Sequence, residues 1–277
     1  MNLFYKVLYF LQGEMEEPKP FGWNHLMWLF FVLAAIIFLY MKKKRYSEKQ
    51  LKLVLGVYGI TALVLEILKQ LIWSFNYDTV TNIVTWDYQW YAAPFQLCTT
   101  PIFVSLICLF LKKSKVRNSL LSYMAFVTIL GSISTMLIPD SCFVSDILVN
   151  IHTMWLHLGS FVVSVYLLMN GFVKIDKKSF ISAIYVFLIF VLIAFFMNVG
   201  VYHSGILSDE TFNMFYISPY FPSTLPVFDV IYEKVWYIIF LIIYVVALSL
   251  GAGIIYFIAK LIKKISLVLK KKKVNNN

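Results

Sequence analysis

The 277-residue chain is 61% hydrophobic and only 14% charged, with a mean hydropathy of +0.79. Soluble domains hold about half apolar residues, so this composition excludes an ordinary soluble fold and indicates an integral membrane protein. The net charge of +10 suits nucleic acid only if the cations cluster on a soluble face; here they flank apolar stretches, which points to lipid headgroups and excludes a nucleic-acid partner.

Residues 1–20 place Leu3, Phe4, Val7, Leu8 and Leu11 at helical spacing and then turn acidic at Glu14, Glu16 and Glu17. The apolar run is short and no small-residue cleavage site follows, so an extracytoplasmic amphipathic helix fits better than a signal peptide. A frayed terminus is the alternative.

Seven stretches then approach or reach the ~20 residues that a membrane span requires: 23–41, 53–75, 94–111, 120–138, 147–173, 180–201 and 235–262. Their apolar character does not alternate as barrel strands do, which predicts an all-α transmembrane bundle of seven helices. Lys42, Lys43, Lys44, Arg45, Lys49 and Lys52 follow the first stretch; Lys112, Lys113, Lys115 and Arg117 follow the third; Lys174, Lys177 and Lys178 follow the fifth. The seventh ends in Lys260, Lys263, Lys264 and Lys270 to Lys273. The intervening loops carry Asp78, Asp87, Asp140, Asp146, Asp209, Glu210, Asp229 and Glu233. The positive-inside rule therefore predicts an N-terminus outside, a single multi-pass domain over residues 21–263, and a cytoplasmic basic tail, 264–277, on anionic lipid at the cell membrane.

Between the second and third spans, Trp73, Trp86, Tyr88, Trp90 and Tyr91 form an aromatic belt at the outer face. The longest non-spanning segment, 202–232, contains Pro219, Pro222 and Pro226 among many aromatics and is predicted to cap the outer mouth of the bundle. Ala247 with Gly251, and Ser249 with Gly253, allow close packing of the last helix.

The informative residues are ionisable or nucleophilic groups inside apolar spans, because such groups are costly there and usually face the bundle interior. Glu66, Lys69 and Gln70 share one face of the second span; a structural ion pair and a functional site are both open. The third span reads Pro94-Phe95-Gln96-Leu97-Cys98-Thr99-Thr100-Pro101. Pro94 suits a first turn, whereas Pro101 predicts a kink one turn from Cys98. The fifth span holds His152 and His157, about 140° apart around a helix, so the two do not readily face one cavity. At 1.5 Å per residue, Cys98 lies roughly 7 Å in from the outer end, His152 about 8 Å and His157 about 15 Å. A thiol becomes a good nucleophile when an imidazole takes its proton and then holds the thiolate. The alternatives are a packing cysteine and an interhelical histidine hydrogen bond. The three cysteines show no metal-ligand spacing or disulfide framework, and no Walker loop, Gly-x-Ser-x-Gly elbow or glycine fingerprint occurs, so no cofactor or metal is expected.

These motifs resemble those of the YwaF family of bacterial integral membrane proteins and of its eukaryotic relatives, transmembrane acyltransferases that make arachidonoyl ether phospholipids. The matching elements are the lead Phe21-Gly22-Trp23-Asn24-His25-Leu26, the Pro94 to Cys98 motif, Gly131 through Pro139-Asp140, His157-Leu158-Gly159-Ser160, Asn213 to Tyr216, and Trp236-Tyr237. They cover most of the chain in the family's order. The resemblance implies Cys98 as nucleophile and His157 as its partner.

The function expected is an intramembrane lipid acyltransferase or lipid-ester hydrolase working through a Cys98 thioester, with phospholipid, lysophospholipid or another fatty-acyl ester as partner. Glu66, Lys69, Gln96, Thr99, His152, Asn198 and His25 are expected to bind or orient the lipid. The competing expectations are a non-catalytic transporter or receptor for a small amphiphile, and a purely structural or assembly protein.

Overall fold

The computed structural model describes residues 2–41, 47–139 and 142–275. Lys42, Lys43, Lys44, Arg45 and Asp140 lie outside the described residues, as do the side chains of Lys270 to Lys273.

The first helix, α1 (Leu3–Leu11), starts at an Asn2 cap whose side chain accepts from the Tyr5 N–H. It packs rather than frays: Leu8 is buried against Ile72, Phe75 and Val149, and the Gln12 amide donates to the carbonyls of Ile72 at 2.7 Å and Phe75 at 2.6 Å. Then come α2 (Trp23–Met41) and α3 (Glu48–Ser74), the latter opened by Ser47 accepting from the Gln50 N–H, which satisfies one orphan donor of the first turn. An antiparallel hairpin, β1 (Phe75–Asp78) with β2 (Ile83–Trp86), follows α3.

The expected third span differs from its sequence reading. Only Thr100–Phe110 is helical (α4), eleven residues or about 16 Å, and the expected kink at Pro101 is absent. Pro101 occupies the first turn of α4, where an N–H would have no intrahelical acceptor, so the proline starts the helix instead of bending it. Residues 93–99 are turns, and Pro94 begins no helix.

The next candidate span, Lys115–Leu137, is one apolar helix in three parts: α5 (Lys115–Tyr123), a π-helical turn Met124–Thr128, and α6 (Ile129–Leu137). At its start Arg117, itself buried, pairs with Glu48 at 2.5 Å and ties α5 to α3. The remaining helices are α7 (Ile147–Met169), α8 (Lys177–His203), the short α9 (Phe228–Lys234) and α10 (Tyr237–Asn275). Gly171, at φ +71°, ends α7 in the left-handed region that glycine adopts without strain.

Among the described residues, six helices are long and apolar enough to cross a membrane, and α4 is shorter. The interior core is continuous from Leu55 and Tyr58 on α3 through Met124 and Phe126 to Phe240 and Tyr244 on α10, while large apolar side chains such as Phe30, Ile189, Phe196 and Ile242 point outward. That inversion suits a hydrocarbon solvent. Of the small residues on α10, Gly251 matters most, since a Cβ there would stand 3.0 Å from Leu130, whereas one at Gly253 would make only ordinary contact with Phe180.

Candidate functional site

Glu66, one turn above Ala62 on the buried face of α3, is the centre of a buried ionic cluster. One carboxylate oxygen meets the Lys69 ammonium at 2.8 Å and accepts from the Gln70 amide at 2.8 Å; the other meets His152 Nε2 of α7 at 2.8 Å. Lys69 and Gln70 also donate to the Ala92 carbonyl, at 3.3 and 2.7 Å, and the ammonium stands 5.5 Å over the Trp73 ring. The internal pairing expected of Glu66, Lys69 and Gln70 is present. The bond from Glu66 to α7 depends on packing that spacing along α3 does not encode.

Cys98 lies in the unwound turn leading into α4, within electrostatic reach of both Lys69 and Glu66. Irregular backbone at membrane depth survives only when protein covers it or it borders a cavity. Here the turn is stitched by Thr99 and Gln96: the Gln96 N–H donates to Thr99 Oγ1 at 2.8 Å, and the Thr99 and Thr100 N–H groups converge on the Gln96 carbonyl. The N–H groups of Leu97 and Cys98 find no acceptor among the described residues other than the Cys98 sulfur itself.

His157 lies on α7 five residues after His152 and is part-buried. Cys98 and His157 are each part-buried, and among the described residues no hydrogen bond joins them. Four tyrosines stand within electrostatic reach of the thiol: Tyr58, Tyr123, Tyr216 and Tyr244. Tyr58 donates to the Leu156 carbonyl at 3.1 Å, and Tyr123 shares a 2.7 Å hydrogen bond with Thr100. The Tyr244 hydroxyl is buried without a partner. These tyrosines escaped sequence reading because aromatics are abundant in every span; the only legible hint was their hydroxyls in apolar runs.

Other residues singled out in the sequence hold the scaffold. Gln96 donates to the Asn213 carbonyl at 2.9 Å and accepts from the Phe215 N–H at 2.7 Å. Asn198, fully buried, brackets Met214 in the same way, at 3.0 and 2.7 Å. Both amides clamp the segment 213–222, whose Phe215 and Tyr216 adopt positive φ, 58° and 57°, and Asn213 folds the rest of it by bonding the backbone of Phe221, Pro222 and Ser218. Thr99 is engaged within its own turn. His25, buried in the first turn of α2, accepts the Phe21 N–H at 3.1 Å through Nδ1 and stacks edge-on with Phe143.

Compared with known proteins, residues 20–253 match the TMEM164 family, and the chain belongs to this family of transmembrane proteins. Searches of curated proteins and of solved structures find no match.

Proposed function

We propose that this protein is an intramembrane acyltransferase for membrane lipid esters, working through Cys98 and His157, as the resemblance to the YwaF family and the ether-phospholipid acyltransferases implies. The observation that carries the reading is that the Cys98 thiol and the His157 imidazole are only part-buried, whereas the neighbouring ionisable groups Glu66, Lys69 and His152 are buried and paired with one another.

In this mechanism the Cys98 sulfur attacks the ester carbonyl carbon of a donor lipid. The C–S bond forms, the ester C–O bond breaks, and His157 moves the thiol proton to the departing alkoxide. An acceptor hydroxyl, from a lysophospholipid or water, then gives its proton to His157 and attacks the thioester, which restores the thiol. In this reading the Leu97 and Cys98 N–H groups serve as oxyanion donors, because Gln96, Thr99 and Asn198 are already engaged elsewhere. Glu66, Lys69 and His152 set the local field.

In the bilayer the chain crosses seven times, with α4 and its unwound lead as the third crossing, the N-terminus outside and the basic tail in the cytoplasm of a cell-membrane protein. Transfer of a labelled acyl chain from phospholipid to lysophospholipid by reconstituted protein tests the function. Transfer that persists in Cys98→Ala overturns it.

A further inference from the structure

One of the four tyrosines around the Cys98 thiol differs from the rest. Tyr58 donates to the Leu156 carbonyl at 3.1 Å, Tyr123 shares a 2.7 Å bond with Thr100, and Tyr216 is only part-buried. Tyr244 of α10 is 0% exposed, and its hydroxyl has no hydrogen-bond partner among the described residues. Buried hydroxyls are rarely left so, and the exceptions fall where a structural water or a reacting group completes the bond.

The placement of Tyr244 favours the second. Seven residues separate it from Tyr237, close to two full turns, so the two share a face of α10 and Tyr244 lies about 10 Å further along. Tyr237 donates to the Ile217 carbonyl at 2.8 Å, which turns that face toward residues 213–217. Gln96 bonds the same residues, at 2.9 Å to Asn213 and 2.7 Å to Phe215, and the Phe95 and Phe215 rings lie 5.7 Å apart. Cys98 is two residues beyond Gln96, and the Tyr244 hydroxyl is within electrostatic reach of it and of Tyr123. The Phe228 and Phe240 rings, with centroids 5.1 and 6.2 Å from that of Tyr244, hold the phenol in one direction. A neutral phenol donates one hydrogen bond and needs no counter-charge, which suits an oxygen that becomes negative only during reaction.

We infer that Tyr244 is a further catalytic residue of the acyl-transfer reaction, its hydroxyl donating to the carbonyl oxygen of the ester and then of the Cys98 thioester. This role rests on the acyl-transfer reading. As the C–S bond forms, the carbonyl π pair moves onto oxygen, and the Tyr244 hydroxyl strengthens its hydrogen bond to it without giving up the proton. The pair returns as the ester C–O bond breaks, and the departing alkoxide takes the thiol proton from His157.

The test acylates reconstituted full-length protein with a long-chain acyl thioester, isotope-labelled at its carbonyl carbon, and reads the infrared carbonyl stretch of the Cys98 thioester against a Cys98→Ala blank. Loss of the hydrogen bond should move the stretch to higher frequency in Tyr244→Phe. Transfer from phospholipid to lysophospholipid should fall about 10²–10³-fold in kcat with KM little changed. The unfolding midpoint in detergent should stay or rise, because the substitution removes a buried hydroxyl that bonds nothing in the free protein. Tyr256→Phe, about 18 Å further along α10, should change neither stretch nor rate. A stretch unmoved in Tyr244→Phe overturns the role whether or not transfer falls, and a lowered midpoint beside it assigns the hydroxyl to a structural water. A parent protein whose Cys98 takes no acyl group overturns the acyl-transfer reading itself, and the role of Tyr244 with it.

Discussion

Glu66 on α3 and His152 on α7 meet at 2.8 Å inside the bundle, while the other Glu66 oxygen holds Lys69 at the same distance. One carboxylate therefore joins two helices. Removing it leaves the Lys69 ammonium buried without its counter-charge, whereas replacing both partners by apolar groups does not. Glu66→Ala should cost about 3–5 kcal/mol of stability, and Glu66→Leu combined with Lys69→Met should recover most of it, as read by denaturant unfolding in detergent micelles.

Catalysis by the thiol predicts different losses from different substitutions. Cys98→Ala should abolish both acyl transfer and labelling by thiol-directed acyl probes. His157→Ala should lower the transfer rate by about 10²–10⁴, the usual contribution of a positioned acid–base group, without loss of helix content. Equal rates in His157→Ala and the parent protein would remove the histidine from the mechanism.

The segment 213–217 is held by the side-chain amides of Asn198 and Gln96. Asn198→Ala leaves the N–H and carbonyl of Met214 buried without partners, which costs about 1–3 kcal/mol. Hydrogen exchange at residues 213–217 should accelerate in Asn198→Ala and in Gln96→Ala, with the core of α7 unchanged.

Gly159 accepts no side chain without movement, because a Cβ there would stand 3.0 Å from the Tyr58 ring. Gly159→Ala should destabilise the α3–α7 contact by about 1–3 kcal/mol, the usual range for overpacking. The unfolding midpoint in detergent reads this directly.

At the start of α8, Asp176 accepts the Ser179 N–H at 2.8 Å, and this bond holds its carboxyl below the ordinary aspartate range. A depressed folded-state value means that the cap's contribution is complete above the unfolded value of about 4 and is lost as pH falls through the folded one. Asp176→Ala should cost about 1 kcal/mol at neutral pH and nothing extra in strong acid, while Asp176→Asn should cap at both. Unfolding measured at the two pH values separates these outcomes.

The membrane character and most of the helices were readable from the chain because hydropathy and length are local properties: nineteen residues from Trp23 suffice to span, whatever they pack against. The same local reasoning placed Cys98 inside a span, and Pro101 misled it, since a proline after apolar residues signals a kink or a helix start equally well. Gln96 and Asn198 looked like donors for a ligand because sequence shows a polar group but not its partner. Their partners lie on a segment more than fifteen residues away in one case and over a hundred in the other, and only folding brings them within 3.0 Å.

What the amino-acid order determined is therefore the solvent of this protein: apolar runs long enough for a bilayer, with cations between every second pair. Tertiary structure decided which polar groups satisfy one another. In a low-dielectric interior each must find a partner, so Glu66 turns to His152 and the amide of Asn198 turns to Met214.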